Sequence, residues 1–171
     1  MGTGKPFGKE ILVMGILQGD EEEDSIAIAA LEEIFGPVES ITKKEEFRWT
    51  DYYQKEMGHL LFRYYMEFRD LVDPSLLAGI KQKTNDLEVR FSEGGRRRIN
   101  LDPGILAPGR FVLATTKDRA HRIALGQGIY GELTLIYERG EFHALPWTYP
   151  DWASEPVRTM LACWRKRLFR N

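Results

Sequence analysis

The chain predicts an α+β fold: a ferredoxin-like antiparallel sheet with helices on one face, extended by extra strands and a C-terminal helix. Three observations carry that expectation. Hydrophobic periodicity switches between about 2 and about 3.6 in the order strand, helix, strand, strand, helix, strand. Turn and capping chemistry at Gly36-Pro37, Asp73-Pro74 and Gly94-Gly95 punctuates those segments. The 171 residues, 43% of them hydrophobic, contain no internal repeat, low-complexity tract or linker, which suits one domain able to bury a core.

Residues 11–17 are an unbroken apolar run and read as a central strand buried on both faces. The acidic stretch 20–24 suits a loop, with Asp24 capping a helix whose Ala27, Ala30, Leu31 and Ile34 fall at helical spacing and which Gly36-Pro37 ends. Residues 38–49 form a second strand with an irregular end, followed by a polar, aromatic loop over 50–58. In 60–71 the alternation is clean: Leu60, Phe62, Tyr64, Met66 and Phe68 share one face, and Arg63, Tyr65, Glu67 and Arg69 the other. Asp73 as cap and Pro74 in the first turn begin a helix with an inward stripe of Leu76, Leu77, Ile80, Thr84, Leu87 and Phe91, ended by Gly94-Gly95.

Period two resumes at Arg96. Ile99 and Leu101 face the core, Arg96, Arg98, Asn100 and Asp102 face the other way, and Arg97 is a bystander. Asp102-Pro-Gly104 reads as a turn. Residues 111–117 and 123–137 are β-structure joined by a charged connection. The stretch 141–152 is too proline-rich for regular structure and packs as an aromatic flap. Ser154 caps a last helix with Val157, Met160, Leu161, Trp164 and Leu168 on its apolar side.

The formal charge of −2 hides an asymmetry: residues 1–90 carry 11 Lys and Arg against 18 Asp and Glu, and residues 91–171 carry 13 against 8. Such a division suits an anionic partner on the basic half, or halves that neutralise each other across the fold. One cysteine, Cys163, excludes an intramolecular disulfide and a Cys-based zinc cage and fits a reducing cytoplasm. No apolar run is long enough to predict a signal peptide or a membrane span.

Known motifs fail. Gly2-Thr-Gly-Lys5 lacks phosphate-loop spacing, and Gly126-Gln-Gly-Ile-Tyr-Gly131 matches Gly-x-Gly-x-x-Gly but precedes a strand rather than a helix. What remains is a constellation. Lys81, Asn85 and Glu88 share a helix stripe; Arg96, Arg98, Asn100 and Asp102 share a strand face; Thr115, Lys117, Arg119, His121 and Arg122 surround a turn. Arg and Lys recognise phosphate or carboxylate, so Lys81, Arg96, Arg98, Lys117 and Arg122 are expected to bind an anionic small molecule or nucleotide, with Asn85, Asn100 and Thr115 orienting it. Glu88, Asp102 and His121 are candidate acid–base groups, and Glu88, Asp102 or Glu132 could hold Mg²⁺ for phosphoryl or phosphodiester chemistry. The same charges could instead form structural ion pairs. The alternative function is a non-enzymatic module that binds protein or RNA through aromatics at Trp147, Tyr149 and Trp152.

The chain also resembles the bacterial and archaeal family named domain of unknown function 4416. The resemblance is carried by Thr50-Asp-Tyr-Tyr with Glu56-Met-Gly58, Lys81 with Thr84-Asn85 and Glu88, Asn100-Leu-Asp-Pro-Gly104, Leu113-Ala-Thr-Thr-Lys117, His121-Arg-Ile123, Gly128-Ile-Tyr130 and Trp147-Thr-Tyr-Pro-Asp151. Ala124 and Gly131 stand where the pattern leads one to expect Tyr and Ala, and Ile105 where it leads one to expect Tyr. The resemblance implies no activity and no assigned site residues.

Overall fold

The computed structural model describes residues 2–19 and 24–170; the loop expected at 20–23 and the capping side chain of Asp24 lie outside the described residues. The sheet is built outward from β1 (Glu10–Gln18), all nine of whose residues are buried. It pairs antiparallel with β4 (Phe62–Val72) on one side and β5 (Ile99–Leu106) on the other. With β2 (Val38–Ile41), β3 (Glu45–Glu46), β6 (Arg110–Thr115), β7 (Arg122–Gly126), β8 (Ile129–Glu138) and β9 (Glu141–Ala144), the described residues form one antiparallel sheet of order β2-β4-β1-β5-β6-β8-β7, β3 lying on β4 and β9 on β8.

β1 is apolar throughout because both sheet faces are covered. Leu12, Met14 and Ile16 pack with α1 (Asp24–Phe35) through Ala27, Ala30 and Leu31 and, beyond the one-turn helix α2 (Gln54–Met57), with α3 (Leu77–Arg90) through Leu77, Ala78, Ile80 and Leu87. Ile11 and Val13 point the other way, into a second core with Phe111, Leu135, Phe142, Trp152, Leu161 and Trp164. That core is roofed by the one-turn helix α4 (Pro150–Ala153) and by α5 (Glu155–Arg165). The α+β class therefore holds, but helices on one face do not. Strands β6, β8 and β9 carry apolar side chains on the second face, and an antiparallel sheet buries such a face under whatever layer is available. The same roof explains why Tyr65 and Glu67, on the polar side of the β4 alternation, are buried; Arg167 donates to Glu67 at 2.5 Å from the chain's end.

Several local expectations change. Leu60 precedes β4 and is exposed, while Leu61 is buried. Residues 38–49 form two short strands rather than one, since β2 and β3 each follow part of β4. Asp73 accepts from the Ser75 amide at the start of a 3-10 turn that leads into α3, as its sequence predicts. That helix ends at Arg90 with Phe91 as its C-cap, earlier than Gly94-Gly95, which lie inside a turn closed by mutual backbone bonds between Glu93 and Arg96. Gly126 to Gly131 is a β-hairpin: Gln127 and Gly128 both have positive φ, which suits a two-residue turn. Residues 141–144 are strand rather than flap, and Trp152 is a core residue. Ser154 stands at the start of α5, but its hydroxyl donates to the Asp151 carbonyl and caps no amide.

Candidate functional site

β5 and β6 are paired only from Gly104 to Leu106 on one strand and Phe111 to Leu113 on the other. Beyond that the sheet opens, and the backbone groups of Leu101 that would face β6 are taken by side chains of α3. Glu88 Oε1 accepts from the Leu101 amide, and Lys81 Nζ donates to the Leu101 carbonyl, both at 2.7 Å. A buried amide or carbonyl left unpaired would cost about 1–3 kcal/mol, so these two side chains substitute for a missing strand. Pro103 lies two residues on, with its missing N–H directed to the same open side. Asp102-Pro-Gly104 thus continues β5 instead of forming the expected turn, because local turn preference gives way where the ladder needs no donor. Gly104 is required there: a Cβ would come within 2.7 Å of two Phe111 ring carbons.

A cavity of about 610 Å³ occupies the opening. Arg63 of β4 forms its floor. Its Nη1 donates to Asp102 at 2.9 Å, and its Nη2 sits 3.1 Å from Asp151. The guanidinium also lies against the rings of Tyr65 and Trp152. Gly15 leaves room for this arrangement, since a Cβ there would be 2.7 Å from both Arg63 Nη2 and the Trp152 ring. The two carboxylates sharing Arg63 are driven apart. Burial raises the pKa of Asp102, but the charges of Arg63 and Lys81 and the hydrogen bond from Arg63 outweigh it and hold the group below its ordinary value. For Asp151 burial prevails over Arg63, and the charge of Asp102 adds to it, so its pKa is raised. Burial also raises the Tyr65 phenol to about 12.

The second wall comes from α3 and the segment before β5. Arg97 donates to Glu88 at 3.2 Å and to Asn100 at 2.9 Å through Nη1, and to Glu56 at 2.8 Å through Nη2. Burial raises the pKa of Glu88 in spite of the neighbouring Lys81, the Leu101 amide and Arg97. Asn100 is buried; it accepts from Arg97 through Oδ1, and its side-chain amide helps to hold the Asp102 carboxyl below its ordinary value.

The third wall is organised by Arg122. Its Nε donates to Glu132 at 2.7 Å, its Nη1 to the Lys117 carbonyl at 2.8 Å and its Nη2 to the Tyr149 hydroxyl at 3.0 Å. Glu132 is 1% exposed. Its Oε2 receives Arg122 and lies 2.9 Å from His121 Nε2, while its Oε1 has no partner among the described residues. His121 stacks on Trp147, ring centroids 4.8 Å apart. Lys117 lies over the Tyr52 ring at 4.4 Å and donates to its hydroxyl at 3.3 Å, and Thr115 Oγ1 accepts from the Lys117 amide.

Of the residues singled out by sequence, Lys81, Asn85, Glu88, Asn100, Asp102, Thr115, Lys117, Arg119, Arg122 and Glu132 line this cavity. Arg96 and Arg98 do not. β5 begins at Ile99, so alternation does not extend back to them; Arg98 pairs with Glu93 at 2.7 Å outside the cleft. Arg97, read as a bystander, is the arginine of that triplet that lines the wall. His121 stands behind Glu132 rather than lining the cavity. Glu88, Asp102 and Glu132 are each engaged by different cations, and among the described residues no three His, Cys, Asp or Glu side chains are grouped to hold a metal ion. Arg63, Asp151 and the aromatic wall of Trp49, Tyr52 and Tyr53 were not singled out; an arginine alternating with Tyr65 and Glu67 on a strand was the available signal for Arg63.

No helix among the described residues is long and apolar enough to cross a membrane. The model of the family described as Domain of unknown function (DUF4416) matches residues 9–168. No curated protein and no solved structure matches the chain.

Proposed function

The chain belongs to the DUF4416 family, and because that membership carries no activity, we propose from the cleft alone that it binds a phosphorylated, nucleotide-like anion. The observation that carries the reading is the lining itself. Six cations (Arg63, Lys81, Arg97, Lys117, Arg119 and Arg122) stand against four carboxylates (Glu88, Asp102, Glu132 and Asp151), beside an aromatic wall on which a planar group can stack. A surplus of positive charge in a walled cavity attracts an anion more strongly than the same charges spread over a surface. Lys117 and Arg119 have no carboxylate within ion-pair distance among the described residues and are free to neutralise a phosphate.

Phosphoryl or phosphodiester chemistry at bound ligand is the mechanistic extension of this reading. Asp102 and Asp151, whose pKa values are moved in opposite directions across one guanidinium, are the pair of carboxyls assigned the base and acid roles in this reading. Mg²⁺, if used, would have to enter with the ligand's own phosphates. The alternative of a protein- or RNA-binding module leaned on aromatics at 147–152; with Trp152 buried and Trp147 stacked on His121, it takes second place. A ferredoxin-like core is the finer fold reading, supported by the neighbouring order β2-β4-β1-β5 with α1 and α3 on one face. A cytoplasmic location rests on the single cysteine.

The test is thermal shift followed by calorimetry with nucleotides, phosphorylated metabolites and Mg²⁺. Binders are expected among the phosphorylated compounds, with Mg²⁺ alone producing no shift. Lys117→Ala combined with Arg119→Ala should weaken binding about tenfold or more, as loss of two charge-assisted contacts implies. Arg98→Ala should leave it unchanged. No binder in the panel, or equal losses in both variants, refutes the reading.

A further inference from the structure

The cleft is electrostatically graded. Its buried cations are committed: Arg63 to Asp102 and Asp151, Lys81 to Glu88 and the Leu101 carbonyl, Arg97 to Glu88 and Glu56. A phosphate placed among them would compete with carboxylates already in place. Lys117 and Arg119, both exposed, have no such competitor among the described residues, so the phosphate belongs at the rim.

What the interior leaves open is an acceptor. Glu132 is 1% exposed, yet its Oε1 lacks a partner while its Oε2 serves both Arg122 and His121. Groups so buried are ordinarily satisfied, and one left open in a cavity wall is a natural contact for a ligand. A carboxylate oxygen accepts; it cannot meet a phosphate oxygen and instead calls for O–H or N–H. The Arg122 guanidinium bonds Glu132 Oε2 through Nε and the Lys117 carbonyl through Nη1, which ties this carboxylate to the backbone of the phosphate-binding rim.

We propose, resting on the reading given above, that the cleft selects a phosphorylated sugar or ribonucleotide, with Lys117 and Arg119 holding the phosphate and Glu132 Oε1 accepting a hydrogen bond from a ribose hydroxyl. Carboxylate-to-ribose hydrogen bonding is a recurrent solution for this group in unrelated nucleotide sites. Glu132 is then a specificity-determining residue.

Calorimetry on the full chain with ribonucleoside 5′-monophosphates and their 2′-deoxy and 3′-deoxy counterparts tests the assignment. Removing the recognised hydroxyl should weaken binding by roughly 10- to 100-fold, the range for a hydrogen bond to a charged group. Glu132→Gln should reduce that difference to less than about threefold, because the amide no longer offers an ionised acceptor. Lys117→Ala should weaken ribo and deoxy forms by the same factor. Wild-type binding of both deoxy forms within about twofold of the ribo form overturns the inference without any variant, as does a Glu132→Gln protein that keeps the full difference. If inorganic pyrophosphate or other phosphorylated compounds bind while no ribose phosphate does, this inference fails alone. If no phosphorylated compound binds, the proposed function fails with it.

Discussion

Asp102 and Asp151 share the Arg63 guanidinium, and the same isosteric change should move stability in opposite directions at the two positions. Asp102 is net stabilised as a carboxylate, so Asp102→Asn removes a charge-assisted bond at 2.9 Å and should cost about 1.5–3 kcal/mol at pH 7. Asp151 is net destabilised as a carboxylate, so Asp151→Asn removes a burial cost that Arg63 does not offset and should change stability by between zero and about +1 kcal/mol. In a chain of 171 residues each kcal/mol moves the melting temperature by about 2–4 °C, which separates the two variants by roughly 3–16 °C. The pH dependence carries the sign. Asp102, with a folded pKa below its ordinary 3.8, contributes stability above that value and loses it as pH falls through the folded pKa. Asp151, with a folded pKa above 3.8, contributes stability when protonated and loses it as pH rises through the folded pKa. The deficit of Asp102→Asn should therefore persist from pH 7 down to about 4 and shrink below it, while any gain from Asp151→Asn appears only as pH rises. Urea unfolding at pH 4, 5.5 and 7 measures both. Equal losses at pH 7, or a larger loss in Asp151→Asn, would refute the reasoning.

Two further substitutions probe the walls. Lys81→Met leaves the Leu101 carbonyl unpaired and removes one of the two cations near buried Glu88; Arg97 still holds Glu88, so a loss of about 3 kcal/mol in urea melts is expected. Gly15→Ala puts a methyl 2.7 Å from Arg63 Nη2 and the Trp152 ring, both buried, and should cost about 1–3 kcal/mol by overpacking while disturbing ligand affinity; an unchanged melting temperature would contradict the packing at the cavity floor.

The legible part of the site is the part set by short-range period. Lys81, Asn85 and Glu88 share a helix stripe whatever α3 packs against, and Asn100 and Asp102 share a strand face whatever lies beyond it. The illegible part depends on a second layer. Arg63, Tyr65 and Glu67 alternate as a solvated face would, and only the arrival of α4, α5 and Arg167 from far along the chain turns that face inward. Arg97 departs from the period-two pattern for a related reason. It follows a turn closed by Glu93 and Arg96 and precedes the start of β5, where side-chain direction does not follow period two. Asp102-Pro-Gly104 carries a strong turn signal, and strand pairing with β1 overrides it.

The residues of the cleft divide by what the open sheet demands of them. Once β5 leaves β6, the Leu101 amide and carbonyl must be met from elsewhere, and Lys81 and Glu88 meet them; Arg97 then balances Glu88, and Arg63 balances two further carboxylates. These groups are fixed by the architecture, and changing them perturbs stability before it perturbs binding. Lys117, Arg119 and the free oxygen of Glu132 satisfy no comparable demand among the described residues. A binding function can be varied through Lys117 and Arg119 with the fold intact, whereas a change at Glu132 also releases buried Arg122. Stability and affinity should accordingly separate along this line, with variants at Lys81 or Arg63 losing both and variants at Lys117 or Arg119 losing affinity alone.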